Sequence, residues 1–315
     1  MTAPGAPARI DDVRERGAVI AIGNFDGVHV GHRALLAHAA DLARNAGAPW
    51  VVVSFFPPAK VLFGSAPYLS SRDEKHLLIR ELGPDEVVIL PFDRAFAATP
   101  AESFVEAIAA LAPAAIVVGD DFRFGRGRGG TTEDLGRAAP RVEVLRLVAM
   151  GGEVVKSSSI RAALEAGDLE RANRLLGAPY LVSGTVTQGD RRGRTIGVPT
   201  ANLATPPDKA LPAGVFAVTV EVPGRGRYGA MANVGPRPSF PEQAPGLEAH
   251  LFDFDGDLYG QDLTVRLLAR LRGGRRFDGL DDLREQLARD AAQARAVLER
   301  AGPDGRVDAP PRRCG

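Results

Sequence analysis

The hydrophobic pattern of this chain changes its period once, near Tyr180, and that change limits the fold more than any other feature. Before it, unbroken apolar runs alternate with stretches in which apolar residues recur every three or four positions. The runs are "AVIAIG" (18–23), "WVVVSFF" (50–56), "EVVIL" (86–90), "AAIVVG" (114–119) and "VEVLRL" (142–147). Strands apolar on both faces, separated by helical patterns over 32–45, 72–82 and 100–111, predict a parallel sheet of βαβ units. Such sheets bind ligands beyond the carboxyl ends of their strands, where "GNFDGVHVGH" (23–32) and "GDDFRFGRGRGG" (119–130) both fall.

Next comes "SSSIRAALEAGDLERANRLLGAPY" (157–180), a helical stretch broken at "AGD" and marking the boundary, with Ser157, Ser158 and Ser159 as candidate caps. After Tyr180 the pattern alternates in short segments: "YLVSGTVTQ", "GVFAVTVEV", "RYGAMANV", "LEAHLFDF" and "LTVRLLARL". Glycine- and proline-rich turns separate them, which predicts an antiparallel barrel or sandwich. A helix over 280–298 closes this part. A chain of 315 residues is long enough for two such cores.

Bulk composition excludes several classes. Lysine plus arginine equals aspartate plus glutamate, 39 against 39, so no global field favours nucleic acid or a membrane surface. The basic clusters at 123–128 and 191–194 can still hold a small anion. The single cysteine, Cys314, allows neither a disulfide framework nor a cysteine metal cluster. The N-terminal segment has no apolar leader core and no long apolar span follows, so a cytoplasmic protein is expected.

His29 and His32 are three residues apart at a helix start, so they can face one side. A helix N-terminus offers free N–H groups and positive potential, which suit a triphosphate. Imidazoles placed there can donate to a phosphoryl group under attack. An ordinary turn with two solvent-facing histidines would have the same letters. "GNFDGVHVGH" resembles the G-x-F-D-G-x-H-x-G-H signature of the bacterial FAD synthetases. "VGDDFRFGRGRGG" and "SSSIRAALEAGDLERANRLLGAPY" are similar to two further blocks of that family. The resemblance implies a Rossmann-like HxGH nucleotidyltransferase domain that joins FMN to ATP, giving FAD and pyrophosphate. It assigns His29 and His32 to the ATP phosphates, with Gly23, Phe25, Asp26 and Gly31 around them. Ser157, Ser158 and Arg161 would hold the nucleotide, and the segment from Asp121 to Phe124 would line the nucleotide or flavin pocket. Where that family has T-F-D-P-H-P, this chain has "SFFPPA", so Phe56 replaces the acid and Pro58 the histidine.

"GTVTQGDRRGRTIGVPTANL" (184–203) combines spaced glycines with Arg191, Arg192 and Arg194, a phosphate-wrapping composition that a solvated basic hairpin would share. Thr200 and Asn202 fall on one face if extended and are suitable oxygen ligands for Mg²⁺. The stretch is very similar to the riboflavin kinase signature, as are "YGAMANVGPRPSF", "LEAHLFDFDGDLYG" and "LRGGRRFDGLDDLREQLARD" in order. That resemblance implies a six-stranded antiparallel barrel with a C-terminal helix, transferring the ATP γ-phosphate to riboflavin. It makes Glu248 the general base, Thr200 and Asn202 the metal and phosphate ligands, and Gly189, Arg194, Gly197, Asn233 and Arg237 part of the surroundings. His250 is expected to face away from Glu248. The acids Asp253, Asp255 and Asp257 lack the later glutamate of a calcium loop and read as a solvated turn.

The expected domains are 15–178 and 179–300, with 301–315 as a disordered tail. The cofactors are ATP and Mg²⁺, with riboflavin, FMN and FAD as substrates or products; no nucleic-acid or membrane partner is expected, and the oligomeric state stays open. Three readings follow: both activities, kinase activity only with the first domain impaired at Phe56 and Pro58, or a non-catalytic flavin- or nucleotide-binding regulator. The intact "PTAN" and Glu248 speak against the third.

Overall fold

Five parallel strands form the sheet of the first half, and their burial explains their order. The computed structural model describes residues 9–301 apart from 65, 147, 151, 188–198, 207, 236–245 and 278. The strands are β1 (Val19–Ile22), β2 (Trp50–Phe56), β3 (Glu86–Pro91), β4 (Ala115–Gly119) and β5 (Val142–Leu145), arranged β3-β2-β1-β4-β5. β1 is buried along its whole length and β2 nearly so, as expected for central strands covered on both faces. On one face Ile20, Ile22, Val51, Val53, Ile116 and Val118 pack with Phe104, Val105 and Ile108. The last three lie on the fifth helix of this half. Its helices are α1 (Val30–Ala46), α2 (Ala59–Leu62), α3 (Arg72–Arg80), α4 (Arg94–Ala97) and α5 (Ala101–Ala109). Strand order reverses between β1 and β4, so the crevice at their carboxyl ends is the expected ligand position.

Three elements of this half were not expected from periodicity: the one-turn α2 and α4, and a small hairpin of β6 (Ala149–Met150) and β7 (Glu153–Val154). The helical stretch at the boundary divides into α6 (Ser157–Glu165) and α7 (Leu169–Leu176), broken at "AGD" as expected. Asp168 caps α7 by accepting from the Arg171 N–H at 2.9 Å. The serines expected as caps of α6 instead lie inside it, because the helix already begins at Ser157. The chain divides into two compact units, Met1–Ser157 and Ser158–Gly315.

The second unit is a closed six-stranded barrel. Its strands are β8 (Tyr180–Thr187), β9 (Ala201–Ala204), β10 (Gly214–Val222), β11 (Gly226–Gly235), β12 (Gly246–Leu251) and β13 (Asp262–Arg272). They run β10-β11-β12-β9-β8-β13, and every neighbour pair is antiparallel. β9 was not among the five strands read from alternation, being four residues long and next to the basic glycine-rich segment. The last helix, α8 (Leu280–Arg300), lays Ala294 and Val297 against Ala217, Met231, Phe252 and Leu268. A buried ion pair pins it: Arg272 of β13 forks onto Asp290 at 2.8–3.0 Å, and Asp290 is fully buried. At the other end α7 is tied to the barrel through Asn173, whose amide donates to Leu267 O and accepts from the Tyr180 N–H.

Candidate active sites

In the first unit the loop from β1 into α1 puts both histidines in one stack. The loop holds three residues at positive φ: Phe25 (47°), Gly27 (82°) and Val28 (43°). Only the glycine adopts that region without strain. His29 is the N-cap of α1, and its Nδ1 accepts the His32 N–H at 3.3 Å. The two rings lie 3.5 Å apart at 17°, and the edge of Phe25 meets His32 at 5.4 Å. Gly31 leaves room for this stack, since a Cβ there would stand 3.3 Å from two atoms of the His29 ring.

An acceptor role for His29 Nδ1 fixes the neutral tautomer, so the remaining proton sits on Nε2 as a donor. Burial pushes the His29 imidazole down to about 4, a backbone hydrogen bond working the other way. His32 is held well below its ordinary value by burial first, then by His29 and Lys75. Its Nδ1 has no hydrogen-bond partner among the described residues. Two neutral imidazoles at a helix N-terminus, one with an unmatched nitrogen, form a cradle suited to an anion.

Several expected site residues have other tasks. Asp26 is buried, its carboxylate accepting from the Leu69 and Ser70 N–H groups at 2.9 and 3.1 Å. Ser70 Oγ in turn accepts the Gly27 N–H at 3.0 Å, so these contacts fasten the loop. Phe25 is interior, and Gly23 sits against its ring. Phe124 is also turned into the core, against Phe104 at 5.0 Å and Phe122 at 5.7 Å, leaving Asp121 and Arg123 of that expected lining exposed. Ser157 donates its hydroxyl to Asp26 O at 3.1 Å. Ser158 is exposed in the first turn of α6, and Arg161 stands one turn on. The departures at "SFFPPA" are apolar in place as well as in name. Pro58 is buried as the N-cap of α2, and the Phe56 ring packs edge-on to Tyr68 at 5.3 Å.

In the barrel, register assembles the second site. Asn202 of β9 lies opposite Glu248 of β12, which lies opposite Asn233 of β11. Directly paired residues share a face, here the one opposite the buried Ala201, Leu203, Leu247, Ala249, Ala232 and Val234. Thr187 of β8 extends the row beside Asn202. Thr200 is exposed just before β9. Thr200 and Asn202 are neutral hard oxygen donors, a set that suits Mg²⁺ coordinated mainly by phosphates and water. No group of three or more His, Cys, Asp or Glu among the described residues could hold a metal unaided. Gly189, Arg194, Gly197 and Arg237, with the rest of the basic loop, lie outside the described residues, as does the tail from 302.

His250 requires a correction. Along β12 burial alternates, so Glu248 and His250, two apart, share one face rather than opposing each other. His250 Nδ1 lies 2.8 Å from Pro199 O; a carbonyl only accepts, so the proton is on Nδ1. The imidazole thus tethers the residue before Thr200. Asp253 is paired with Arg295 at 2.8 Å, and Asp257 accepts from the Tyr259 N–H, in keeping with a turn rather than a calcium loop.

A parallel α/β half with a histidine stack at its switch point, followed by a closed barrel bearing a carboxylate between two amides, defines a two-domain transferase with a nucleotidyltransferase-like first half. The family model for FAD synthetase matches residues 11–159, and that for riboflavin kinase matches 176–298. A bifunctional riboflavin kinase/FMN adenylyltransferase of Escherichia coli (strain K12) is 39% identical over 89% of this chain and 93% of its own length. The protein of the same name from Bacillus subtilis (strain 168) is 35% identical over 88% and 91%. A crystal structure named as a macrolide-efflux protein from Streptococcus pneumoniae has the same fold, with a TM-score of 0.79, 33% identity and coverage of 91% of this chain and 97% of that one. No helix among the described residues is long and apolar enough to cross a membrane. The chain belongs to the bifunctional riboflavin kinase/FMN adenylyltransferase family.

Proposed function

We propose that this chain phosphorylates riboflavin to FMN in the barrel and adenylylates FMN to FAD in the α/β half. The supporting observation is that each unit retains a set of groups suited to its reaction: the stacked His29 and His32 in one, the Asn202–Glu248–Asn233 row in the other.

In the barrel, Glu248 accepts the proton of the 5′-hydroxyl as its oxygen attacks the γ-phosphorus of ATP in line. Thr200 and Asn202 would hold Mg²⁺ and the phosphates, and the ion would supply charge neutralisation at the transferring group. Asn233, with Gly189, Arg194, Gly197 and Arg237, completes the surroundings. In the α/β half, the FMN phosphate attacks the α-phosphorus of ATP and pyrophosphate leaves. Neutral His29 and His32 donate to oxygens whose charge grows during that step, an effect worth roughly 100-fold or more per donor. Ser158 and Arg161 hold the nucleotide, and Asp121 borders the pocket. The catalytic domains are taken as 15–178 and 179–300. The enzyme is read as cytoplasmic, acting on free riboflavin, FMN and ATP with no nucleic-acid or membrane partner.

A second reading, kinase activity alone, draws support from Phe56 and Pro58, which offer the first site no charge and no donor. One assay separates the two. Purified chain is incubated with ATP and Mg²⁺, once with riboflavin and once with FMN, and the flavins are separated. FAD from FMN supports the bifunctional reading, and FMN without FAD supports kinase activity alone. Glu248→Gln should abolish FMN formation and spare FAD formation, while His32→Ala should do the reverse. Loss of both activities in either variant would refute two independent sites.

A further inference from the structure

Lys75 is fully buried, yet its ammonium has three acceptors, matching its three donors. It donates to Asn24 O at 2.6 Å, to Phe55 O at 2.6 Å and to Asn24 Oδ1 at 3.3 Å. Asn24 is the second residue of the loop that leads from β1 to His29, and Phe55 is the penultimate residue of the neighbouring β2. One side chain from α3 therefore joins two strand ends at the crevice where the histidines stand. The loop needs such a restraint: Phe25 and Val28 hold positive φ values, which persist only where the surroundings over-determine them.

We propose that Lys75 is a positioning residue for adenylyl transfer, clamping the Asn24 and Phe55 carbonyls so that the loop presents His29 and His32 to the nucleotide. The role rests on the adenylyltransferase reading above. The groups around the ammonium make the clamp sensitive to alkali. Asp26 from the loop favours its charge and His32 of α1 lies close enough to feel it; α3 itself carries Arg72, Asp73, Glu74, His76 and Arg80. From β2 come no charged groups: Ser54 Oγ donates to the same Asn24 O at 3.0 Å, Phe55 offers its carbonyl, and the Phe56 ring is 5.8 Å from Nζ, at the position where relatives of this motif carry an acid. Burial pushes the Lys75 ammonium down to about 8, with Asp26 opposing. FAD formation therefore declines as pH rises through about 8, as the clamp loses its proton.

The test uses the full chain, with FAD formation from FMN and FMN formation from riboflavin measured in the same preparations from about pH 6 to about pH 10. Lys75→Met should lower kcat/KM for FAD formation about 100-fold, the scale of a misplaced reacting group, with FMN formation within about twofold of the parent. Phe56→Asp, which supplies a carboxylate near the ammonium, should move the alkaline decline up by about a pH unit or more. Wild-type FAD formation by Lys75→Met, or an alkaline limb unmoved in Phe56→Asp, would overturn the proposal. If Lys75→Met does not fold, the Phe56→Asp profile decides. A wild-type chain that makes no FAD counts against the adenylyltransferase reading instead. The clamp is then read from histidine NMR titration of the unliganded chain: Lys75→Met should release His29 from about 4 toward 6.5, and an unchanged His29 titration would refute the clamp.

Discussion

His29→Asn isolates the energetic consequence of keeping an imidazole neutral in the interior. Burial holds His29 at about 4 against an ordinary 6.5, so the folded chain resists a proton that the unfolded chain accepts. Between those two values the unfolded state binds more protons, and stability falls as pH falls. The full window corresponds to about 3 kcal/mol, and the part between pH 7 and pH 5 to about 2 kcal/mol. His29 is only 5% exposed, so solvent screening takes little from this figure. Asparagine is a favoured N-cap and offers an oxygen to the His32 N–H, so α1 keeps its start. The assay is urea unfolding followed by the fluorescence of Trp50, the only tryptophan, which is buried on β2 of the same unit. The parent should lose about 2 kcal/mol more than His29→Asn between pH 7 and pH 5. His32 is present in both proteins and largely cancels. An equal loss in both would refute the assignment of His29 as a buried neutral base.

Two further outcomes can be checked directly. Asp290→Ala leaves Arg272 facing a buried gap under α8 and should destabilise the barrel unit by roughly 3 kcal/mol, measured by urea unfolding with circular dichroism. His250→Phe keeps a ring beside Phe252 but removes the tether to Pro199 O; FMN formation should fall up to about tenfold, mainly through a higher KM for ATP, with FAD formation unaffected.

The residues that could be read from sequence are those whose neighbours impose a period. β1 and β4 are apolar throughout and β2 is so but for Ser54, because helices cover both faces, and five barrel strands alternate because one face of each looks inward. β9 and the β6–β7 hairpin are too short to establish any period. The histidine pair was legible from its spacing, but its stack was not, because His29 serves as a cap where serine or aspartate is usual. Motif membership also fails to say which side chains turn inward: Phe25, Asp26 and Phe124 are buried. Lys75 was hidden for a related reason. Within "RDEKHLLIR" it looks like one more solvated charge, and only the convergence of the Asn24 and Phe55 carbonyls reveals its interior place. His250 was recoverable, since alternation alone puts it on the face of Glu248.

The closing seam of the barrel joins β8, its first strand, to β13, its last. Pairing across nearly the whole unit must meet the entropy of a long loop before any contact rewards it. During synthesis the barrel therefore cannot shut until the chain has left the ribosome through Arg272, whereas every strand of the parallel sheet is out by Leu145. The nascent chain passes through an interval in which its first half can be complete while the second still exposes unpaired strand edges. That interval, rather than the finished molecule, is where this protein is open to misassembly and to chaperones.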